Sequence, residues 1–96
     1  MEKDVIIEKL NKILPIVKEK YNVKSIGVFG SYIRNEAKIG SDLDILVKFE
    51  KPIGLLKFIE LENYLSELTG IKVDLVSQKA LKPRIGKQIL KEVVNV

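Results

Sequence analysis

Ninety-six residues, 46% hydrophobic and 31% charged, predict one globular domain over residues 1–96, near the small end of what buries its own core. The chain contains no Cys and no His, which removes disulfide frameworks, thiolate nucleophiles, Ser-His-Asp hydrolysis and Cys- or His-built metal sites. Carboxylates and oxygen-loving cations such as Mg²⁺ or Mn²⁺ remain, and a formal charge of +4 is mild enough that direct nucleic-acid binding is not expected.

In chain order, Val5, Ile6, Leu10, Ile13, Leu14 and Val17 form a helical stripe over residues 2–20. Pro15 within it predicts a kink or a break into two short helices. Val23–Phe29 and Leu43–Phe49 read as strands. In the second, Leu43, Ile45, Val47 and Phe49 share one face, while Asp42, Asp44, Leu46 and Lys48 share the other. Pro52 suits the first turn of a helix and Gly70 its end. Ile53, Leu56, Ile59, Leu61, Leu65 and Leu68 lie between them, and Leu55 and Phe58 widen the apolar stripe beyond one face. That width fits either core or a surface for a partner or a second copy.

Residues 71–76 read as a third strand with Ile71, Val73 and Leu75 on one face and Asp74 on the other. A last helix, 85–94, begins just after Pro83. The order α-β-β-α-β-α predicts an α/β domain with helices packed on a small mixed sheet. No apolar run approaches the roughly 18 residues of a membrane span, and the N-terminus lacks a basic-then-apolar leader. The expected location is cytoplasmic, away from membranes.

The chemistry concentrates between the first two strands. Gly30-Ser31 closes one strand, and Asp42-Leu43-Asp44 opens the next. Spaced i, i+2 on a strand, Asp42 and Asp44 point the same way and can hold a divalent cation together. The Gly-Ser turn offers backbone N–H groups and a hydroxyl suited to phosphate oxygens. Carboxylates that bridge metal beside a phosphate cradle are the components of phosphoryl or nucleotidyl transfer.

Asp74 is the natural third carboxylate, the alternative being a surface acid paired with Lys72 or Lys48. Arg34 is placed to reach a phosphate, and reads equally as a solvated loop arginine. Ser41 fits a cap at the strand entry. Lys82, Arg84 and Lys87 could steer a nucleotide or meet an acidic partner, though a plain solvated helix face fits them too. Two look-alikes fail. In haloacid-dehalogenase phosphatases Asp-x-Asp ends its strand, whereas here the strand follows the acids, and a Walker A loop is absent.

The run GSYIRNEAKIGSDLDILV resembles the signature of the nucleotidyltransferase superfamily that includes DNA polymerase β. It is most similar to the minimal nucleotidyltransferase (MNT) branch, where GSYARG…SDIDLLV is typical. The resemblance extends to KVDLV around Asp74 and to ALKPRIGKQILKEVVNV, and so covers nearly the whole chain. Asn35 stands where that branch has Gly and Ile33 where it has Ala; neither change removes a metal or phosphate group.

The resemblance implies a polymerase β-like fold, ATP as substrate and Mg²⁺ or Mn²⁺ as cofactor. Asp42 and Asp44 would be catalytic metal ligands, Asp74 a third catalytic acid serving as base or ligand, and Gly30, Ser31 and Arg34 the nucleotide-binding residues. It further implies AMP transfer to a partner protein's hydroxyl, a tyrosine, by an antitoxin that modifies and binds a HEPN-domain RNase toxin. Two competing expectations are a module that blocks its partner sterically without catalysis, and transfer to a small molecule such as an aminoglycoside.

Overall fold

The first apolar stripe becomes α1 (Lys3–Tyr21), which buries Ile6, Leu10, Ile13, Val17 and Tyr21 along one side, in a computed structural model that describes residues 2–96. Pro15 does not split it: α1 is one helix of 19 residues where two short ones were an alternative. Both Pro15 and Asn11 are exposed, so the Asn11 carbonyl deprived of its helical donor can turn to water. Asn22 ends the helix in the left-handed conformation, φ 56°, its N–H donating to the Val17 carbonyl.

Strands β1 (Val23–Phe29) and β2 (Leu43–Phe49) then pair antiparallel, with the boundaries expected from their apolar patterns. Helix α2 (Leu55–Thr69) carries the chain back to β3 (Val73–Ser77), which lies parallel to β2. Pro52 and Ile53 precede this helix instead of forming its first turn, and Gly54 is its N-cap. Gly70 closes it as expected, at φ 72° with its N–H on the Ser66 carbonyl. A 3₁₀ turn (Gln78–Ala80) leads to α3 (Pro83–Glu92), with proline in the first turn, where its missing N–H costs nothing.

The chain end departs from expectation. The helix predicted over 85–94 stops at Glu92, and the next residues form β4 (Val94–Asn95), antiparallel to β1 through Gly27↔Asn95 and Val28↔Val94. Gly27 permits this approach, because a Cβ there would collide with Val93 Cγ2 and crowd Asn95 Oδ1. The result is a mixed four-stranded sheet in the order β3-β2-β1-β4 with three helices.

One sheet face packs against α1 and α2. Ile26, Val28, Leu43, Ile45, Val47, Val73 and Leu75 meet Ile6, Leu10, Ile13, Val17, Leu61 and Leu65 there. Each fully buried Leu, Ile or Val contributes about 1.5–3 kcal/mol relative to exposure, an upper figure in this bookkeeping. Side chains of α2 also satisfy the outer edge of β3: Glu62 Oε2 accepts the Leu75 N–H at 2.9 Å, and Ser66 Oγ accepts the Val73 N–H at 3.0 Å.

The apolar stripe of α2 divides. Leu61 and Leu65 are buried, whereas Leu55, Leu56 and Ile59 face solvent, Leu56 with 83% of its surface exposed. No helix among the described residues is long and apolar enough to cross a membrane.

Candidate active site

The register brings the acids to one place. Asp44 lies opposite Asp74 across the parallel β2–β3 pair, and opposite Phe29 across the antiparallel β1–β2 pair. Asp42 precedes β2 and shares the alternation of Asp44. All three carboxylates therefore rise from the sheet face that α1 and α2 leave uncovered. Asp42 and Asp74 are exposed, and Asp44 is half-buried. Burial first, then the Asp74 and Asp42 charges, hold the Asp44 carboxyl above its ordinary value, with Arg34 pulling the other way. Neither Lys72 nor Lys48 forms an ion pair with Asp74 among the described residues.

Gly30 ends β1 beside this cluster, with φ 80°. A Cβ on it would fall on Asp44 Oδ2, so glycine is required both for the left-handed backbone and for the close approach of the turn to the carboxylate. The turn then winds once: the Gly30 carbonyl accepts the N–H groups of Ile33 at 3.0 Å and Arg34 at 3.1 Å. The Ser31 carbonyl accepts the Glu36 N–H at 2.9 Å. Among the described residues no protein acceptor takes the Ser31 or Tyr32 N–H, so both donors remain open beside the acids. Asn35 follows at φ 58°, a conformation glycine adopts freely and asparagine tolerates.

Sequence reasoning missed Glu92. This last residue of α3 accepts the Gly30 N–H on Oε2 at 2.9 Å and Arg34 Nη1 on Oε1 at 2.7 Å. The Arg34 and Gly30 hydrogen bonds hold the Glu92 carboxyl below its usual range, and Arg34, which also donates Nε to Glu36 at 3.2 Å, is pushed up in turn. Arg34 is thus an exposed loop side chain paired with two carboxylates. Nothing local marked Glu92, which stands 62 residues from Gly30 in the chain.

Ser41 Oγ accepts the Lys38 N–H at 2.9 Å and so caps the loop before β2. Lys82, Arg84 and Lys87 are exposed and make no ion pair among the described residues, which fits either of their two readings.

Two cavities flank the acids. One of about 540 Å³ is lined by Gly30, Arg34 and Asp44 and by Ile85, Gln88 and Glu92 of α3. The other, about 660 Å³, is lined by Tyr32, Ser41, Asp42, Ile71 and Lys72 among others. A third, mostly apolar, sits at the far end of β2 beside Phe49, Pro52 and Phe58 and contains none of the candidate residues.

Among the described residues no three Asp or Glu side chains are gathered as a ready-made metal cage. That is compatible with Mg²⁺, which takes one or two carboxylates and completes its shell with water and substrate phosphate. Asp44 is raised by burial first and then by the Asp74 and Asp42 charges, and a divalent cation among these acids would relieve that repulsion.

Residues 10–96 match the nucleotidyltransferase domain family. The chain belongs to that family. Among its relatives, the protein adenylyltransferase MntA of Thermococcus cleftensis is 58% identical over 80 residues, 83% of this chain and 81% of that protein. A solved structure of a candidate minimal nucleotidyltransferase superposes with a TM-score of 0.84 at 34% identity, covering 100% of this chain and 97% of that one.

A third likeness, at 22% identity and TM-score 0.69, covers 94% of this chain and 70% of the other. It belongs to a tri-AMPylated HEPN toxin of Shewanella oneidensis in complex with an MNT antitoxin, and at that identity it shows shared fold alone. The mixed sheet with its three helices is accordingly a minimal nucleotidyltransferase of polymerase β-like fold.

Proposed function

We propose that this nucleotidyltransferase moves AMP from ATP to a hydroxyl, a tyrosine, of a partner protein, and that the partner is a HEPN-domain RNase toxin silenced by the modification. The observation carrying the reading is the junction of Gly30 with Asp44, where a turn with open N–H donors touches a like-charged carboxylate pair. The relative named protein adenylyltransferase, 58% identical over 80 residues, supports a protein acceptor. The pair would act in the cytoplasm, where ATP and RNA are found.

In this reading Ser31 and Tyr32 N–H groups bind phosphate oxygens, with Gly30 permitting the approach and Arg34 adding positive charge. Asp42 and Asp44 would hold Mg²⁺ or Mn²⁺, with Asp74 as a further ligand or as base. The cation would supply neutralisation of the acids and of charge on the transferring group. The acceptor oxygen forms a bond to the α-phosphorus, the bond to the β-phosphate bridge breaks, and pyrophosphate leaves. The hydroxyl proton passes to Asp74 or to water.

Label transfer from α-³²P ATP with Mg²⁺ into host lysate tests this, with wild type beside Asp42→Asn and Asp44→Asn. A protein band labelled by wild type alone is expected, and its size identifies the acceptor. A chain that pulls down a partner while labelling nothing would instead be a steric blocker. Label appearing on an aminoglycoside and on no protein would make the acceptor a small molecule.

A further inference from the structure

Gly30 is buried, so its N–H needs an acceptor inside the protein. Glu92 provides it, and the same carboxylate takes Arg34. Gly30 in turn abuts Asp44. One side chain at the end of α3 is therefore in contact with the phosphate-type turn and its arginine, one step from the acid cluster. With Ile85 and Gln88 it also lines the cavity that Asp44 opens into.

We propose that Glu92 is a positioning residue for nucleotidyl transfer: it pins the Gly30–Ser31 turn against Asp44 and holds Arg34 over the cavity, so that the donors left open meet the nucleotide's phosphates. The proposal rests on the transfer reading above and makes α3 a wall of the nucleotide site.

A carboxylate on two cationic or N–H donors could also act as an internal anion that phosphate must expel. Two features favour a residue that stays. The Gly30 N–H is buried, and losing its acceptor would leave it unsatisfied. The backbone after Glu92 is anchored at once, because Val94 and Asn95 pair with Val28 and Gly27. The open Ser31 and Tyr32 donors, moreover, need no exchange to bind phosphate.

The test uses the full chain as wild type, Glu92→Gln, Glu92→Asp, Arg34→Ala and the Glu92→Gln/Arg34→Ala double variant. Calorimetry measures binding of inorganic tripolyphosphate and of a non-hydrolysable ATP analogue, and transfer kinetics are run in parallel. For Glu92→Gln the expected result is a kcat lower by about tenfold or more, since misplacing a bound group is costly. Tripolyphosphate should bind more weakly, Glu92→Asp should restore part of the loss, and the Glu92→Gln effect should shrink in the Arg34→Ala background.

Tighter tripolyphosphate binding by Glu92→Gln would overturn the proposal in favour of an internal competitor. Unchanged kcat and KM in a variant with lowered Tm would reduce Glu92 to a structural tie. Should wild type transfer nothing to any acceptor, the function reading fails, and the binding measurements still decide whether Glu92 organises the turn.

Discussion

The two faces of β2 come from seven consecutive residues and follow opposite rules. Leu43, Ile45 and Val47 have no exposed surface beneath α1 and α2, and that face accepts only apolar volume. On the other face Asp44 stands opposite Asp74 and beside Asp42, with a carboxyl that its surroundings make harder to ionise. The first arrangement stabilises the fold; the second works against it. Acids clustered against their own electrostatics make this face the candidate for function.

Substitutions on each face should therefore separate activity from stability. Asp44→Asn is expected to lower the rate of nucleotidyl transfer by at least about a hundredfold with the fold intact. Circular dichroism beside the transfer assay checks this, and loss of both together would make the acid structural. On the opposite face Leu43→Ala should cost about 2–5 kcal/mol, seen as a Tm lower by roughly 10 °C or more. Thermal denaturation reads it directly.

Gly30 sits where the two regimes meet, and Gly40 is its control. Both have positive φ, at 80° and 88°, but a Cβ on Gly40 finds nothing within 4 Å. Gly40→Ala should cost only the backbone strain, about 1–2 kcal/mol, with transfer retained. Gly30→Ala should add displacement of Asp44 and lose most activity. Equal loss of activity in both variants would count against the Gly30–Asp44 contact as the reason for glycine.

The smallest effect is electrostatic and has a definite sign. The folded carboxyl of Asp44 titrates above its unfolded value of about 3.9, so ionising it destabilises the fold. That penalty is absent below the unfolded value, grows as pH rises through the folded one, and then stays constant. In chelator at pH 7, Asp44→Asn should therefore raise Tm slightly, and the gain should vanish toward pH 3. Adding Mg²⁺ should stabilise wild type more than the variant. A variant less stable than wild type in chelator would show that Asp44 makes a favourable contact.

Legibility followed the range of the interactions. Strands β1 and β2 were readable to the residue because side-chain alternation is local, and the same alternation placed Asp42 and Asp44 together. Asp74 followed once its strand was recognised, although its alignment with Asp44 depends on the register of a parallel pair. The continuity of α1 through Pro15 turned on which side of the helix the proline faces. On α2, apolar identity alone could not separate buried Leu61 and Leu65 from exposed Leu55 and Leu56.

By itself the sequence limited the chemistry to oxygen ligands, and it set two acids spaced i, i+2 at the start of a strand with a Gly-Ser turn ahead of them, within fifteen residues (30–44). Only the tertiary structure decided what surrounds that chemistry. It ended α3 at Glu92, laid β4 along β1 and closed a carboxylate over Gly30 and Arg34. A hydrogen bond between residues so far apart leaves no periodicity, because it depends on where the whole sheet has carried its partners.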